Sequence, residues 1–230
     1  MRVALCLSGQ ARFLEACYTE SMKPHILDVL NPDVFIHTWD VSDKVGQPFI
    51  NGSDHAMGGP ITENLMEQML TLYKPTKHVI EPQVVFEAGK WSGRVMPGIK
   101  SDHMYSMFYS VQQSNLLKKS YEQENNFKYD WVIRIRFDMA LPSGPLPLES
   151  LDNNKLWVAT GCFDNVNGYL DSFGYSNSEI MDTYADIFNH IDDIANNNPD
   201  MRICGEYVLR KYLDQNNISV SEIGTHSAYR

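Results

Sequence analysis

The densest chemistry in the chain lies in Lys128–Pro142, KYDWVIRIRFDMALP. From Trp131 the residues alternate, so an extended strand places Trp131, Ile133, Ile135 and Phe137 on one face and Val132, Arg134, Arg136 and Asp138 on the other. Two guanidinium groups and a carboxylate on one face suit a charged ligand. Guanidinium forks match phosphate oxygens, and a carboxylate suits a hard divalent cation. The plain alternative is an edge strand whose charges face water. Apolar residues flanking each arginine, and the turn residues Pro142, Ser143, Gly144 and Pro145 that follow, argue instead for a buried strand that ends at a site.

Other residues with chemical potential are scattered along the chain. The segment LSGQAR supplies Ser8, Gly9, Gln10 and Arg12 at the end of an apolar run; it matches neither G-x-x-x-x-G-K-[ST] nor G-x-G-x-x-G, which disfavours a P-loop kinase or a Rossmann dehydrogenase. Gln10, Arg12 and exposed backbone could grip a nucleotide there, and a plain strand-to-helix turn fits equally well. His37, inside an apolar strand, reads first as a hydrogen-bonded core histidine. Asp171 follows Asn167-Gly168 and precedes small and aromatic residues that suit a sugar pocket, with turn structure as the alternative. Glu206 opens the last helix, where a carboxylate either offsets the helix dipole or projects into a cleft as a base. His226 lies in a seven-residue tail and matters only if that tail folds back over the site, where an imidazole could join a carboxylate on Mn²⁺.

The elements that must position these groups follow from pattern. Residues 2–7 read as a buried strand, 15–30 as a helix unsettled by Pro24, and Asp33–Thr38 as a second strand, together a βαβ unit with parallel pairing. Ligands of such sheets sit beyond the carboxyl ends of the strands, which puts Ser8, Gly9, Gln10 and Arg12 on one rim with Trp39 and Asp40. Residues 41–60 read as loop, 61–73 as a helix capped by Thr62 or the loop before it, His78–Ile80 and Val84–Phe86 as short strands, and 87–100 as a Gly-rich lid, acceptor loop or long connection carrying Lys90, Trp91 and Arg94. An amphipathic helix over 103–125, with an apolar stripe of Met104, Met107, Phe108, Val111, Leu116 and Leu117, leads into the central strand. Beyond it come a strand at Lys155–Thr160, a loop at 161–170, and a helix capped by Ser176 or Ser178 and ending near His190. An Asn/Asp-rich turn at 191–201, a helix from Cys204 to Gln215 and a strand at Ile218–Ile223 complete the chain.

A length of 230 residues suits one large domain or two small ones, and no linker divides the chain. A net charge of −10 argues against nucleic acid or an anionic membrane surface as the main partner. Cys6, Cys17, Cys162 and Cys204 lack metal-site or redox spacing and read as reduced, mostly buried thiols. No apolar run has the length of a membrane span and none resembles a signal peptide, which leads to the expectation of a cytosolic setting, host cytoplasm if the protein is viral.

The order LCLSGQARF, DVFIHTWD, YDWVIRIRFDMAL, DSFGYSNSEIMDTY, GEYVLRKYL resembles that of small viral and bacterial sugar-nucleotide-dependent glycosyltransferases with the GT-A fold, over most of the chain. The resemblance implies an α/β fold: a single GT-A-like domain over residues 1–230, with a mixed, mostly parallel sheet flanked by helices. It implies hexosyl or deoxyhexosyl transfer from a nucleoside diphosphate sugar, a UDP-sugar first, to a carbohydrate acceptor. In GT-A enzymes an Asp-x-Asp motif at the end of a central strand holds Mn²⁺ or Mg²⁺ against the donor diphosphate. The corresponding triplet here is Arg136-Phe137-Asp138, which keeps only the second aspartate. By resemblance, either Asp138 and His226 hold the metal or Arg134 and Arg136 stabilise the diphosphate without one. Ser8, Gly9, Gln10, Arg12 and Asp40 are then expected near the nucleotide, Asp171 near donor or acceptor hydroxyls, and Glu206 near the reacting centre. In an inverting reaction Asp171 or Glu206 is the candidate catalytic base, whereas a retaining reaction needs neither in that role. The competing readings are a nucleotidyltransferase and a non-catalytic sugar- or nucleotide-binding module.

Overall fold

The structure is a computed structural model and describes residues 1–40, 62–87, 89–95, 101–141, 144–160, 168–225 and 227–228. Its centre is a seven-stranded sheet of β1 (Val3–Ser8), β2 (Asp33–Trp39), β3 (Lys77–Glu81), β4 (Trp131–Arg136), β6 (Leu156–Thr160), β7 (Phe173–Ser176) and β8 (Val220–Thr225), in the order β3-β2-β1-β4-β7-β6-β8. All neighbours pair in parallel except β7, which runs antiparallel to both β4 and β6. The expected βαβ start is present, because the buried apolar runs of β1 and β2 suit strands covered on both faces. Between them the chain is helical through α1 (Leu14–Cys17), a wide π-helical stretch (Tyr18–Leu27) containing Pro24, and α2 (Asp28–Leu30). The widened turns lie where proline removes a backbone donor.

Two apolar cores sandwich the sheet. On one side Ala4, Cys6, Phe35 and Val132 pack against α4 (Ser101–Asn125), α5 (Ser178–Ala185), α6 (Ile191–Asn197) and α7 (Gly205–Gln215). On the other, Leu5, Leu7, Ile36, Trp131, Ile133 and Ile135 pack against the 14–30 segment and α3 (Glu63–Tyr73). Of the two expected caps for α3, Thr62 and the loop before it, Thr62 serves, its hydroxyl accepting from Leu65 N at 3.2 Å.

Several sequence expectations are corrected. Val84–Phe86 is not a strand: Val85 is 90% exposed and residues 82–87 have no regular structure. The 191–201 turn contains α6, because Ile191, Ile194 and Ala195 recur at helical spacing and are buried among the asparagines. Asn177 caps α5, rather than either serine, its side chain accepting from Ile180 N at 3.0 Å; α5 gives way to a 3-10 turn over Asp186–His190. The stripe on α4 also differs, since Leu116 is 48% exposed while Ser110, Ser114, Lys118 and Glu122 are buried. Strand β7 lies in DSFGYS, a segment to which the sequence pattern assigns no element. Finally, β4 stops at Arg136; Phe137 and Asp138 form a turn into β5 (Met139–Ala140), which pairs antiparallel with β9 (Ser227–Ala228) of the tail. Cys6, Cys17 and Cys204 are free and buried, whereas Cys162 lies outside the described residues.

Candidate functional site

Registry across β2, β1 and β4 brings His37, Ser8 and Arg136 side by side at the carboxyl edge of the sheet, since Ser8 pairs with both of the others. In a parallel ladder such partners lie on one face. That edge is where open α/β sheets bind ligands.

Arg136 faces it with its guanidinium forked onto Asp138, Nε donating to Oδ1 at 2.8 Å and Nη2 to Oδ2 at 2.6 Å. Arg12, from the loop after β1, donates Nη2 to the same Oδ2 at 2.6 Å. The turn at Phe137–Asp138 makes this possible, because it folds the carboxylate back over a side chain two residues earlier. Burial alone would lift Asp138, but Arg136 and then Arg12 outweigh it and hold the carboxyl below the ordinary aspartate value. In return Asp138 overcomes the burial of Arg136 and keeps its guanidinium firmly charged.

Arg134 is placed differently. It is buried beneath the edge, its Nη1 donating to the main-chain oxygen of Asp171, while Nε and Nη2 meet no acceptor among the described residues. Burial lowers its pKa. Tyr184 OH donates to the same Asp171 oxygen at 3.4 Å, and Arg136 N donates to Ser172 O at 3.2 Å. The segment entering β7 is thereby fixed beside β4.

Asp171 then meets the start of α7. Its Oδ2 lies so near the Cα of Gly205 that a side chain there would overlap it, so glycine permits this approach. Glu206 follows in the first helical turn. Burial, with Glu206 second, lifts Asp171 from 3.8 to about 7, against the opposing pull of Arg134 and Arg136. A carboxyl that exchanges its proton near neutral pH, beside another carboxylate, is suited to general acid–base work.

A clasp supports α7 from behind. Arg94 donates to the carbonyl oxygens of Ala195 (3.0 Å), Asn198 (2.5 Å) and Met201 (3.1 Å), and its own carbonyl accepts from Ile203 N at 2.9 Å. Lys90 pairs with Asp192 at 2.5 Å, and Trp91 Nε1 donates to Tyr105 OH at 2.9 Å. The described part of the 87–100 connection thus holds the loop that delivers Gly205 and Glu206.

The remaining expected residues divide. Gly9, with φ +94°, donates its N–H to Ser110 Oγ at 2.7 Å; Ser110 also meets His37 Nδ1 at 2.8 Å, and His37 Nε2 meets Glu81 Oε1 at 2.8 Å. His37 is therefore a hydrogen-bonded core histidine, and burial keeps it neutral against the pull of Glu81. Gln10 lies in the same loop, its carbonyl accepting from Arg12 N at 2.8 Å. Asp40 stands at the end of β2, two strands from β4, with its N–H on Glu81 O at 2.9 Å; among the described residues its carboxylate does not join the arginines. His226 lies outside the described residues, although the tail backbone beyond it pairs with Met139–Ala140, next in the chain to Asp138.

Among the described residues Asp138 is engaged by arginines and stands in no metal-binding cluster. Both of its oxygens already accept from guanidinium groups, and no cluster of three His, Cys, Asp or Glu side chains converges among the described residues. A cation there would sit against two fixed positive charges. Sequence reasoning had missed Gly205, Tyr184, Ser110 and the structural use of Arg94. Gly205 alone left a signal, as a glycine at a helix start next to an acid.

No helix among the described residues is long and apolar enough to cross a membrane. No protein-family model and no curated protein sequence matches the chain. Among solved structures, glycosyltransferase GlyE of Streptococcus pneumoniae TIGR4 is similar in its apo form at 13% identity and a TM-score of 0.45, covering 96% of this chain and 45% of that one. A second GlyE structure is similar at the same identity and TM-score, covering 97% and 46%. The chain spans less than half the length of the GlyE chains it matches.

Proposed function

We propose that the protein is a GT-A-like glycosyltransferase that moves a sugar from a nucleoside diphosphate donor, a UDP-sugar first among the candidates, to a carbohydrate acceptor. The observation that carries this reading is the meeting, at the carboxyl edge of a mostly parallel sheet, of the Arg12–Arg136 pair with the Asp171–Glu206 pair. Cleaving the bond between sugar and diphosphate leaves negative charge on the departing phosphate, and fixed guanidinium groups stabilise it without reorganising. In an inverting reaction a base must also take the acceptor hydroxyl proton, and the carboxyl pair is suited to that task near neutral pH.

A second reading makes Asp138 and His226 ligands of Mn²⁺ or Mg²⁺. It draws support from the return of the tail to β5, immediately after Asp138. Calorimetry with UDP separates the two. Binding that EDTA leaves intact and that His226→Ala does not weaken supports the arginines; binding abolished by either supports the metal.

The proposal as a whole is tested by thermal shift against a panel of nucleotide sugars, followed by mass spectrometry of reactions with carbohydrate acceptors. A ligand that binds only the folded state raises the midpoint. Glycosylated acceptor and free nucleoside diphosphate are expected. Pyrophosphate released from a nucleoside triphosphate would instead establish a nucleotidyltransferase. If nucleotide sugars bind and are neither transferred nor hydrolysed with any acceptor, the protein is a binding module.

A further inference from the structure

In the described structure Asp138 does for Arg12 and Arg136 what a phosphate would do. Its two oxygens accept the Nε–Nη2 edge of Arg136 at 2.8 and 2.6 Å and Nη2 of Arg12 at 2.6 Å. This two-pronged arrangement is also how a guanidinium grips a phosphate. The carboxylate is the innermost member of the trio: the side chains of Arg136, Arg12 and Asp138 are 27%, 10% and 6% exposed. The arginines can thus be approached from outside without moving the strand that carries Arg136.

Two nearby features suit an incoming anion. Ser8, the register partner of Arg136 on β1, is 1% exposed, and its hydroxyl meets no partner among the described residues. A cavity of about 250 Å³ adjoins Arg12, lined also by Ala11, Phe13, Thr62, Asn64 and Gln68 at the start of α3. Helix starts favour negative charge.

We propose that Arg12 and Arg136 form a diphosphate site which Asp138 fills as an internal stand-in when no ligand is bound, and which it yields when the ligand's diphosphate arrives. The word diphosphate rests on the donor reading given above; the exchange of anions rests on the trio itself. Replacing one anion by another keeps a negative group between the two guanidinium groups, whereas a chain without Asp138 would lose the carboxylate that both of them grip. The internal carboxylate competes with the ligand and lowers its apparent affinity, because only the fraction of molecules with the clamp vacated can bind. This gives Asp138 an effect opposite in sign to that of a metal ligand, whose removal weakens binding.

The test is calorimetry with inorganic pyrophosphate in EDTA at pH 7, on the wild type, Asp138→Asn, Arg136→Gln and the double variant. Asp138→Asn keeps the shape of the side chain and removes its charge. It is expected to bind pyrophosphate at least tenfold more tightly than the wild type, and Arg136→Gln is expected to abolish binding in both backgrounds. Equal or weaker binding by Asp138→Asn overturns the proposal. Should the loss of that carboxylate charge unfold the variant, the Arg136 Nε–H resonance of the wild type is read by NMR during titration with pyrophosphate; a resonance that does not shift also overturns it. Failure of the donor reading looks different, since pyrophosphate would still bind Asp138→Asn more tightly while no nucleotide sugar is transferred.

Discussion

Replacing Glu206 by glutamine should change how stability depends on pH, with a sign opposite to that of most aspartates. Asp171 is lifted from 3.8 to about 7. It therefore holds its proton more tightly in the folded chain than in the unfolded one. Between roughly pH 4 and 7 the folded state binds more protons, so stability falls as pH rises through that window and levels off above the folded value. The full shift corresponds to ~4 kcal/mol at 1.36 kcal/mol per unit, an upper bound because Asp171 keeps some solvent contact. Burial is the larger cause and the charge of Glu206 the second. The glutamine keeps the burial and removes the like charge, so it should bring Asp171 down toward the ordinary aspartate value and add on the order of 1 kcal/mol of stability above pH 7. At pH 4, where Asp171 is protonated in the folded state of both proteins, the two should differ little. The assay is urea unfolding of wild type, Glu206→Gln and Asp171→Asn at intervals from pH 4 to 8.5. The Asp171→Asn protein should lack the decline assigned to this carboxyl. Parallel stability curves for wild type and Glu206→Gln across the whole range would refute the idea that the two carboxylates interact.

Two further substitutions test the supports of the site. Gly205→Ala would drive a methyl into Asp171 Oδ2 and against Met107 Cε (3.2 Å); a loss of about 1–3 kcal/mol by urea unfolding is expected, in the range of overpacking, with a downward shift of the Asp171 carboxyl titration followed by ¹³C NMR. Lys118 is fully buried on α4, its ammonium at 2.7 Å from both Ser178 Oγ and Asp182 Oδ1 and at 3.2 Å from Glu122 Oε2. Lys118→Met leaves Glu122 and Asp182 only the more exposed ammonium groups of Lys128, at 3.4 and 3.5 Å, and of Lys119, at 3.7 Å from Asp182, and should cost about 3 kcal/mol, the low end for breaking a buried pair, read as a lower urea midpoint.

How much of this was legible in the sequence follows from how local each signal is. Strands β1, β2 and β4 and helix α3 announce themselves through apolar runs, alternation or a cap, all within a few residues of the element they define. Strand β7 does not, because four residues containing Gly174 become a strand only by pairing with β4 and β6, and that pairing is remote in sequence. Helix α6 was masked by asparagines that lie on its outer side, while its three apolar residues carried the packing. The same division governs the site. Arginines on a strand facing one way could be read from alternation, and Asp171 and Glu206 from their residue types beside turn and helix signals. What could not be read is that Asp138 leaves the strand in the turn at Phe137–Asp138, after which Met139–Ala140 pair with the remote tail. Its second partner, Arg12, is 126 residues away in sequence.

The charges explain why these separate pieces belong together. Arg12, Arg134 and Arg136 stand against Asp138, Asp171 and Glu206, and repulsion from Glu206 favours uptake of a proton by Asp171. With Asp171 protonated, the guanidinium groups exceed the remaining carboxylates by one charge, which suits an anionic ligand. Loss of that proton returns the cluster to balance and weakens its hold on the same anion. Ligand binding and proton binding at this edge should therefore reinforce each other. As pH falls from 8 to 6, pyrophosphate binding to the wild type should tighten relative to binding by Asp171→Asn, which should follow only the ligand's own protonation. Pyrophosphate itself gains a proton across this range, which weakens attraction at lower pH and works against the effect. A difference between the two proteins in the sign or slope of the pH dependence is thus the informative quantity. Identical slopes would mean that the carboxyl pair and the arginine pair are electrostatically independent, and would remove the link between acid–base and anion-binding chemistry on which the proposed reaction relies.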